Sequence, residues 1–271
     1  MDWLLAIIGI ALAVGGWFMG RRASKFSGNW WMMGFVVPFL FILIVAMARR
    51  MPKLEFMPPF SWLMAGRLEF ALMGAAVTLL FSTLLPKLPT KDLRKLIVVL
   101  MVLVVLQALT PFLAPAILRG RLAALETKWH QPGICQQSRD YTCGPASVVT
   151  ALHRLGINAT ESELALAAHT TQFTGTEPDD LAAAINHVYG RQGVVAEYRW
   201  FDKLEDLPRD GALVLRIQYG FLMDHWVAVL EMKDEKVIVG DPYIGKWDYS
   251  WSEFGAKWRH TGVWMRRLGE K

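Results

Sequence analysis

Cysteine is scarce in this 271-residue chain, which has two, Cys135 and Cys143. Two cannot build a disulfide framework, and a single bridge would consume both thiols. They also lack zinc-ligand spacing, and no H-E-x-x-H occurs, so no metal or other cofactor is expected. The phosphate-cradling pattern G-x-x-x-x-G-K-[ST] is missing, which excludes ATP hydrolysis by a P-loop and with it an ATP-driven transporter. There is no internal repeat, no low-complexity tract and no disordered tail. Acidic residues are few in one part of the chain only. Residues 1–118 hold 4 Asp/Glu against 11 Lys/Arg, whereas residues 119–271 hold 20 against 18. The formal net charge of +5 therefore combines +7 with −2. The basic excess lies between apolar segments, where membrane topology and anionic lipid account for it. It gives no reason to expect nucleic acid as a partner.

What the chain has in quantity is apolar sequence, with 54% hydrophobic residues. A helix needs roughly 20 apolar residues to cross the hydrocarbon core. Four runs qualify: about Trp3 to Met19, Trp30 to Met47, Phe70 to Leu85 with a start as early as Phe60, and Leu96 to Leu118. Trp3, Trp17, Trp30, Trp31 and Trp62 sit near run ends, where interfacial aromatics belong. The first run has no small-residue cleavage site after it and reads as an anchor rather than a removed signal peptide. Arg67 and Glu69 fall in the third run if it starts at Phe60. They are then an intramembrane polar site; otherwise the helix starts after them, or Arg67 snorkels to the interface. The first and third loops carry seven Lys/Arg, and the second loop with the flank after the fourth run carries six. This margin leans to an outside N-terminus, which with four spans puts the C-terminal part outside as well.

From Leu122 the pattern changes. Residues 1–118 read as a transmembrane helical domain, 119–131 as a polar, helical connector ending at Pro132-Gly133, and 132–271 as a compact domain. Helices are expected from Cys143 to Leu155, from Thr160 to Ala168 with a Thr160–Glu163 capping box, and from Glu177 to Tyr189. Strands are expected over Val194–Tyr198, Ala212–Gln218, His225–Met232, Lys236–Gly240, Lys246–Tyr249 and Gly262–Arg267, with Lys233-Asp234-Glu235 as a turn. Helices first and a mostly antiparallel sheet second is the α+β order.

Cys143 falls at a helix start, where first-turn N–H groups and the helix dipole favour a thiolate. His225 opens an apolar strand and could take the thiol proton. The other histidines are poorer candidates. His153, His169 and His187 lie on expected helices, His130 is in the connector and His260 is near the C-terminus. A base needs an orienting partner on its other nitrogen. Asp224 faces the wrong way, because adjacent strand residues point to opposite faces. Asp241 ends the strand that returns antiparallel across the Lys233–Glu235 turn, so pairing carries it toward His225. Pro242 then stops that strand. Gln136 or Gln137, upstream of Cys143, could supply an oxyanion donor.

Gln137-Ser138-Arg139-Asp140-Tyr141-Thr142-Cys143-Gly144-Pro145-Ala146 resembles the Gln-x5-Cys-Gly-x-Ala signature of the bacteriocin-processing peptidases, the C39 family of papain-like cysteine enzymes. His225-Trp226-Val227-Ala228-Val229-Leu230 is similar to that family's His block, Asp241-Pro242 to its Asp-Pro, and Phe173-Thr174-Gly175-Thr176 to the turn that frames its substrate cleft. The resemblance covers about residues 132–268. It implies a papain-like fold, with Cys143 as nucleophile, His225 as general base and acid, Asp241 as its orienting residue and Gln137 as oxyanion donor. Gly175, Thr176 and Trp226 are implied as substrate-binding residues. It further implies cleavage of an exported precursor after a Gly-Gly pair.

The sequence departs from the familiar exporters in carrying its peptidase segment after the membrane segment, in having no ATPase and in placing Thr142 where an acidic residue is frequent. The expectation is thus a stand-alone, multi-pass peptidase of a bacterial inner membrane, with its peptidase domain toward the periplasm. Its partners would be a precursor polypeptide, the lipid bilayer and a separate secretion apparatus. A catalytically inactive peptide-binding domain and an acyl transferase on the same fold are the alternative readings.

Overall fold

The computed structural model describes residues 2–64, 68–131, 133–220, 223–233 and 235–269. Arg67, Pro132 and Asp234 lie outside the described residues, as does the side chain of Trp3. The chain forms two compact units, Met1–Ala116 and Ile117–Lys271.

The first unit is helical: α1 (Asp2–Ala23), α2 (Met33–Ala48), the short α3 (Phe60–Met64), α4 (Leu68–Leu84) and the start of α5 (Lys91–Ala123). Segments Ala6–Ala23, Trp30–Ala48, Leu68–Lys87 and Lys91–Ala123 are long and apolar enough to cross a membrane. The third run is helical over Leu68–Lys87 among the described residues, and Phe60–Met64 forms a turn of helix before it. Glu69, buried in the first turn of α4, accepts from Arg49 at the end of α2.

Helix α1 packs on α4 through its glycines. A Cβ at Gly16 would lie 2.4 Å from Ala75 O, and one at Gly20 would lie 2.0 Å from Ser82 Oγ and 2.4 Å from Leu79 O. This four-residue spacing of small residues lets two backbones approach closely, with the Thr83 hydroxyl 3.3 Å from Gly20 O, the mode of association favoured in apolar surroundings. Gly9 and Gly74 face Leu109 and Ala108 of α5. Ala6, Ala71, Leu109 and Phe112 form the buried centre of this unit.

The second unit begins at Ile117, within the last turns of α5. The connector is helical only to Ala123; Lys128–Gln131 is strand β1, paired antiparallel with β2 (Ile134–Gln136). These short strands carry no alternating pattern of their own, and pairing to each other makes them. Helices α6 (Cys143–Arg154), α7 (Glu161–Ala167) and α8 (Pro178–Tyr189) follow. Thr160 caps α7 by accepting from Glu163 N. The expected reciprocal half of the capping box is absent, because the Glu163 carboxylate takes the Tyr189 hydroxyl instead.

The sheet comprises β3 (Val194–Trp200), β4 (Ala212–Gly220), β5 (Met223–Lys233), β6 (Lys236–Asp241), β7 (Gly245–Ser250) and β8 (Trp258–Arg267), in the order β3-β8-β4-β5-β6-β7. All its pairings are antiparallel. Helix α9 (Trp251–Lys257) precedes β8 and opens with a reciprocal Ser250–Glu253 capping box.

Alternation along the strands separates two cores. Val214, Trp226, Ala228, Val263 and Met265 pack against α6, α7 and α8. Leu213, Leu215, Val227, Val229 and Val239 belong to a second core with Phe254 of α9. The period of two does this sorting, since successive strand residues point to opposite faces.

Candidate active site

Cys143 is the first residue of α6, preceded by Thr142 at the N-cap. The Thr142 hydroxyl does not cap the helix. It donates to Arg139 O at 3.0 Å and accepts from Arg139 N at 3.1 Å, closing the loop that leads to the thiol. The start of α6 thus keeps N–H groups without side-chain caps next to Cys143, where an anion is favoured.

His225 and Asp241 meet through the β5–β6 pairing. Ala228 pairs with Gly240, so one step further Asp241 comes opposite Val227, on the face shared by His225 two residues along. His225 Nε2 lies 2.9 Å from Asp241 Oδ1, and both side chains are buried. The same carboxylate oxygen accepts from Tyr243 N at 2.8 Å. That bond, from the turn after Pro242, holds Asp241 from a second side.

With Nε2 on the carboxylate, Nδ1 is the ring nitrogen left for the thiol, and Cys143 is near enough to His225 to act on its titration. Burial, the largest single influence on His225, acts to lower its pKa. The hydrogen bonds to Asp241 and to Cys143, with electrostatic attraction to both, outweigh it and push the imidazole up to about 9. Asp224 is engaged elsewhere: its carboxylate takes Arg259 at 2.7 Å and Arg216 at 3.2 Å.

Helix and strand are tied together at the site. Ser147 Oγ, one turn after Cys143, donates to Trp226 O at 2.9 Å. Trp226 itself is buried, with Cδ1 against Gly144: a Cβ at Gly144 would meet that atom at 3.3 Å and Thr176 Cβ at 3.1 Å. The expected substrate-binding role of Trp226 meets a core position, because its ring fills the space beneath the nucleophile's helix and offers 4% of its surface. Thr176, also buried, is fixed by a 2.8 Å contact between its hydroxyl and that of Thr170. Gly175 has φ +68°, the left-handed conformation glycine accepts without strain, and closes a bridge to Thr171.

Gln136 is exposed and belongs to the β2 ladder, opposite Lys128. Gln137 enters the loop before Cys143, its N–H bonded to Pro242 O at 2.9 Å, so it is linked to the residue after Asp241. Its Nε2 donates to Arg139 O at 3.1 Å, which fixes the amide orientation because a carbonyl only accepts. One Nε2 proton goes to Arg139, and the second is available to another acceptor.

Cys135 lies beside α6, its N–H bonded to Thr150 Oγ1 at 2.9 Å. Thr150 is seven residues, about 10 Å of helix rise, beyond Cys143, and both thiols are free. Burial, then the Glu161 charge, pushes Cys135 up to about 12. His153 packs on Trp129, His260 stacks between Trp200 and Trp258, and His130 and His187 are exposed. Among the described residues no group of three or more His, Cys, Asp or Glu is placed to hold a metal ion.

The structure also brings in residues that the sequence reading passed over: the Tyr243 N–H, the Ser147 hydroxyl and the Tyr219 ring, 5.2 Å from His225. Ser147 had a signal, a hydroxyl on the apolar face of its helix. The backbone donor of Tyr243 had none.

The family model of the peptidase C39 family matches residues 132–267. An uncharacterized protein of Methanothermobacter thermautotrophicus is 34% identical over 113 residues, 42% of this chain and 73% of that protein; one of Methanothermobacter marburgensis is 33% identical over the same length. Among solved structures, the peptidase domain of Streptococcus ComA, a bi-functional ABC transporter involved in a quorum sensing pathway, is 19% identical. That match covers 49% of this chain and 96% of that one, with a TM-score of 0.43. A double glycine motif protease from an AMS/PCAT transporter, in complex with the leader peptide, is 13% identical over 49% and 89% of the two chains, with a TM-score of 0.42. With half of its length matched by the family model, the chain belongs to the peptidase C39 family.

Proposed function

We propose that the protein is a membrane-anchored cysteine endopeptidase that cleaves an exported precursor after small residues such as Gly-Gly. The observation that carries this reading is the buried His225–Asp241 hydrogen bond together with Cys143 at the start of α6, whose thiol acts on the His225 ring. The Cys143 thiolate attacks the scissile carbonyl, forming an S–C bond. The Cys143 N–H and Gln137 Nε2 receive the oxyanion. The His225 imidazolium gives its proton to the leaving amine as the C–N bond breaks. Water then attacks the thioester, His225 takes a water proton, and the thiolate leaves. Asp241 and Tyr243 N hold the ring throughout.

The Gly-Gly preference rests on family membership. The membrane anchor rests on the four long apolar helices and on the close glycine packing of α1 with α4. The bilayer is thus the lasting partner, and no ATP or nucleic acid is required.

The test is the pH dependence of iodoacetamide alkylation at Cys143, resolved from Cys135 by peptide mass, in the intact protein and in His225→Ala. Reaction of Cys143 well below the free-thiol range of about 8.5, lost in His225→Ala, supports the peptidase. Reaction of Cys143 no faster than Cys135 at every pH overturns it in favour of a binding domain without catalysis. Product mass from a precursor peptide then separates hydrolysis, which adds water, from acyl transfer, which adds an amine.

A further inference from the structure

We propose that Glu161 is a positioning residue for the Gln137 amide, a role that rests on the peptidase reading above. Glu161 opens α7 and is fully buried. Its Oε1 accepts from Ser138 N at 2.8 Å, and its Oε2 lies 2.5 Å from Ser138 Oγ. Both carboxylate oxygens are thus committed to the residue that follows Gln137. The same hydroxyl lies 2.9 Å from Glu126 O, and the Glu161 N–H donates to Thr127 Oγ1 at 2.9 Å.

Burying a carboxylate is costly, and an apolar residue of similar size would fill the space at least as stably. A carboxylate here makes sense through what it holds. Charge-assisted bonds are shorter and stronger than neutral ones, and two of them converge on one residue. The first turn of α7 favours the negative end.

The loop from Gln137 to Cys143 has other tethers: Gln137 N on Pro242 O, Gln137 Nε2 on Arg139 O, Ser138 Oγ on Glu126 O, Arg139 N on the Thr142 hydroxyl and Thr142 N on Arg139 O. None of these takes up the Ser138 N–H. Glu161 does, from the first turn of α7, a helix that carries neither Cys143 nor His225. Without it the Ser138 N–H loses its partner, the peptide is free to turn, and the Gln137 amide swings with it. The thiol, His225 and Asp241 are held by α6, β5 and β6 and stay in register. Glu161 therefore acts on the oxyanion and not on the nucleophile.

The experiment uses the full chain in detergent and two probes. Glycyl-glycinal adds the Cys143 S–H across its C=O, forming an S–C bond while the carbonyl oxygen receives the proton or is held as oxyanion, so its affinity reads the donors around that oxygen. Iodoacetamide alkylation at Cys143 reads the thiol alone. Glu161→Ala is expected to weaken the aldehyde by about tenfold or more, the order lost with an oxyanion donor, and to leave alkylation within about twofold of wild type. In a Gln137→Ala background the same change is expected to cost less than about twofold, because residues acting as one unit are not additive. Glu161→Gln, which keeps an acceptor for Ser138 N, falls between.

Equal losses in both backgrounds, or alkylation falling in step with aldehyde affinity, would show a structural role only and overturn the proposal. Should Glu161→Ala fail to fold, Ser138→Ala and Glu161→Gln carry the same comparison. A wild-type Cys143 that alkylates no faster than Cys135 overturns the peptidase reading itself. Normal alkylation without aldehyde binding overturns the oxyanion role on which Glu161 depends.

Discussion

The hydroxyl of Ser147 donates to the carbonyl of Trp226 at 2.9 Å, across 79 residues of chain. This bond ties the helix that begins with Cys143 to the strand residue beside His225, inside the core. Ser147→Ala removes the donor and leaves the Trp226 carbonyl without it. A loss of about 1–2 kcal/mol in unfolding free energy is expected, measured by denaturant titration of the full chain. A larger relative fall is expected in the Cys143 alkylation rate at neutral pH, because the thiol and the imidazole no longer share one fixed frame. A variant destabilised to that extent whose Cys143 reacts at the wild-type rate would show that the bond serves the fold alone.

Gly144 is crowded on three sides, with Thr176 Cβ, Thr176 Oγ1 and Trp226 Cδ1 at 3.1, 3.2 and 3.3 Å from where a Cβ would sit. None of these atoms can yield cheaply, since Thr176 is tied to Thr170 and Trp226 is packed in the core. Gly144→Ala should therefore displace the first turn of α6. Overpacking of this kind costs about 1–3 kcal/mol. Thermal unfolding should show that loss, and hydrolysis of a Gly-Gly peptide substrate should fall more steeply than stability.

In the helical unit, Gly16→Ala sets a Cβ 2.4 Å from the Ala75 carbonyl oxygen, a backbone atom that cannot rotate away. The helices α1 and α4 must then separate. The expected outcome is a lower melting temperature of the detergent-solubilised chain. Gly15→Ala, with nothing within 4 Å of its Cβ, is the matched control and should leave it unchanged. Equal effects at the two glycines would remove the close approach as the cause.

Legibility in the sequence followed the range of the interactions concerned. Most of the sheet strands were readable from their apolar runs, although β7 (GKWDYS) has little of one, and the His225–Asp241 approach followed from the β5–β6 turn and strand lengths alone. Helix α9 was missed although Ser250-Trp251-Ser252-Glu253 carries the capping pattern in plain view. Conversely, Thr160 and Glu163 carry that pattern but form only half of it, because Tyr189, 26 residues on, competes for the carboxylate. The third apolar run could not be bounded, since Phe60 to Glu69 is apolar enough to continue the helix. Pairing of Lys128–Gln131 with Ile134–Gln136 likewise depends on tertiary position, and no propensity announces it.

The final prediction concerns pH. His225 is raised to about 9 in the folded chain, against about 6.5 when unfolded. The folded form therefore binds the proton more tightly. The resulting stabilisation is complete below about 6.5 and is lost as pH rises through about 9. A plot of unfolding free energy against pH for the wild type minus that for His225→Gln should be flat on the acid side and fall across this interval. Activity should share its alkaline limit, because the imidazolium that protonates the leaving amine disappears there. Asp241→Asn removes the charge but keeps the carbonyl oxygen. The main upward influence on His225 weakens while burial continues to press its pKa down, so both the stability step and the alkaline limb of activity should move to lower pH. Histidine ring titration by NMR reports the same shift directly. An unmoved limb in Asp241→Asn would mean that Cys143 and not Asp241 holds the proton on the ring.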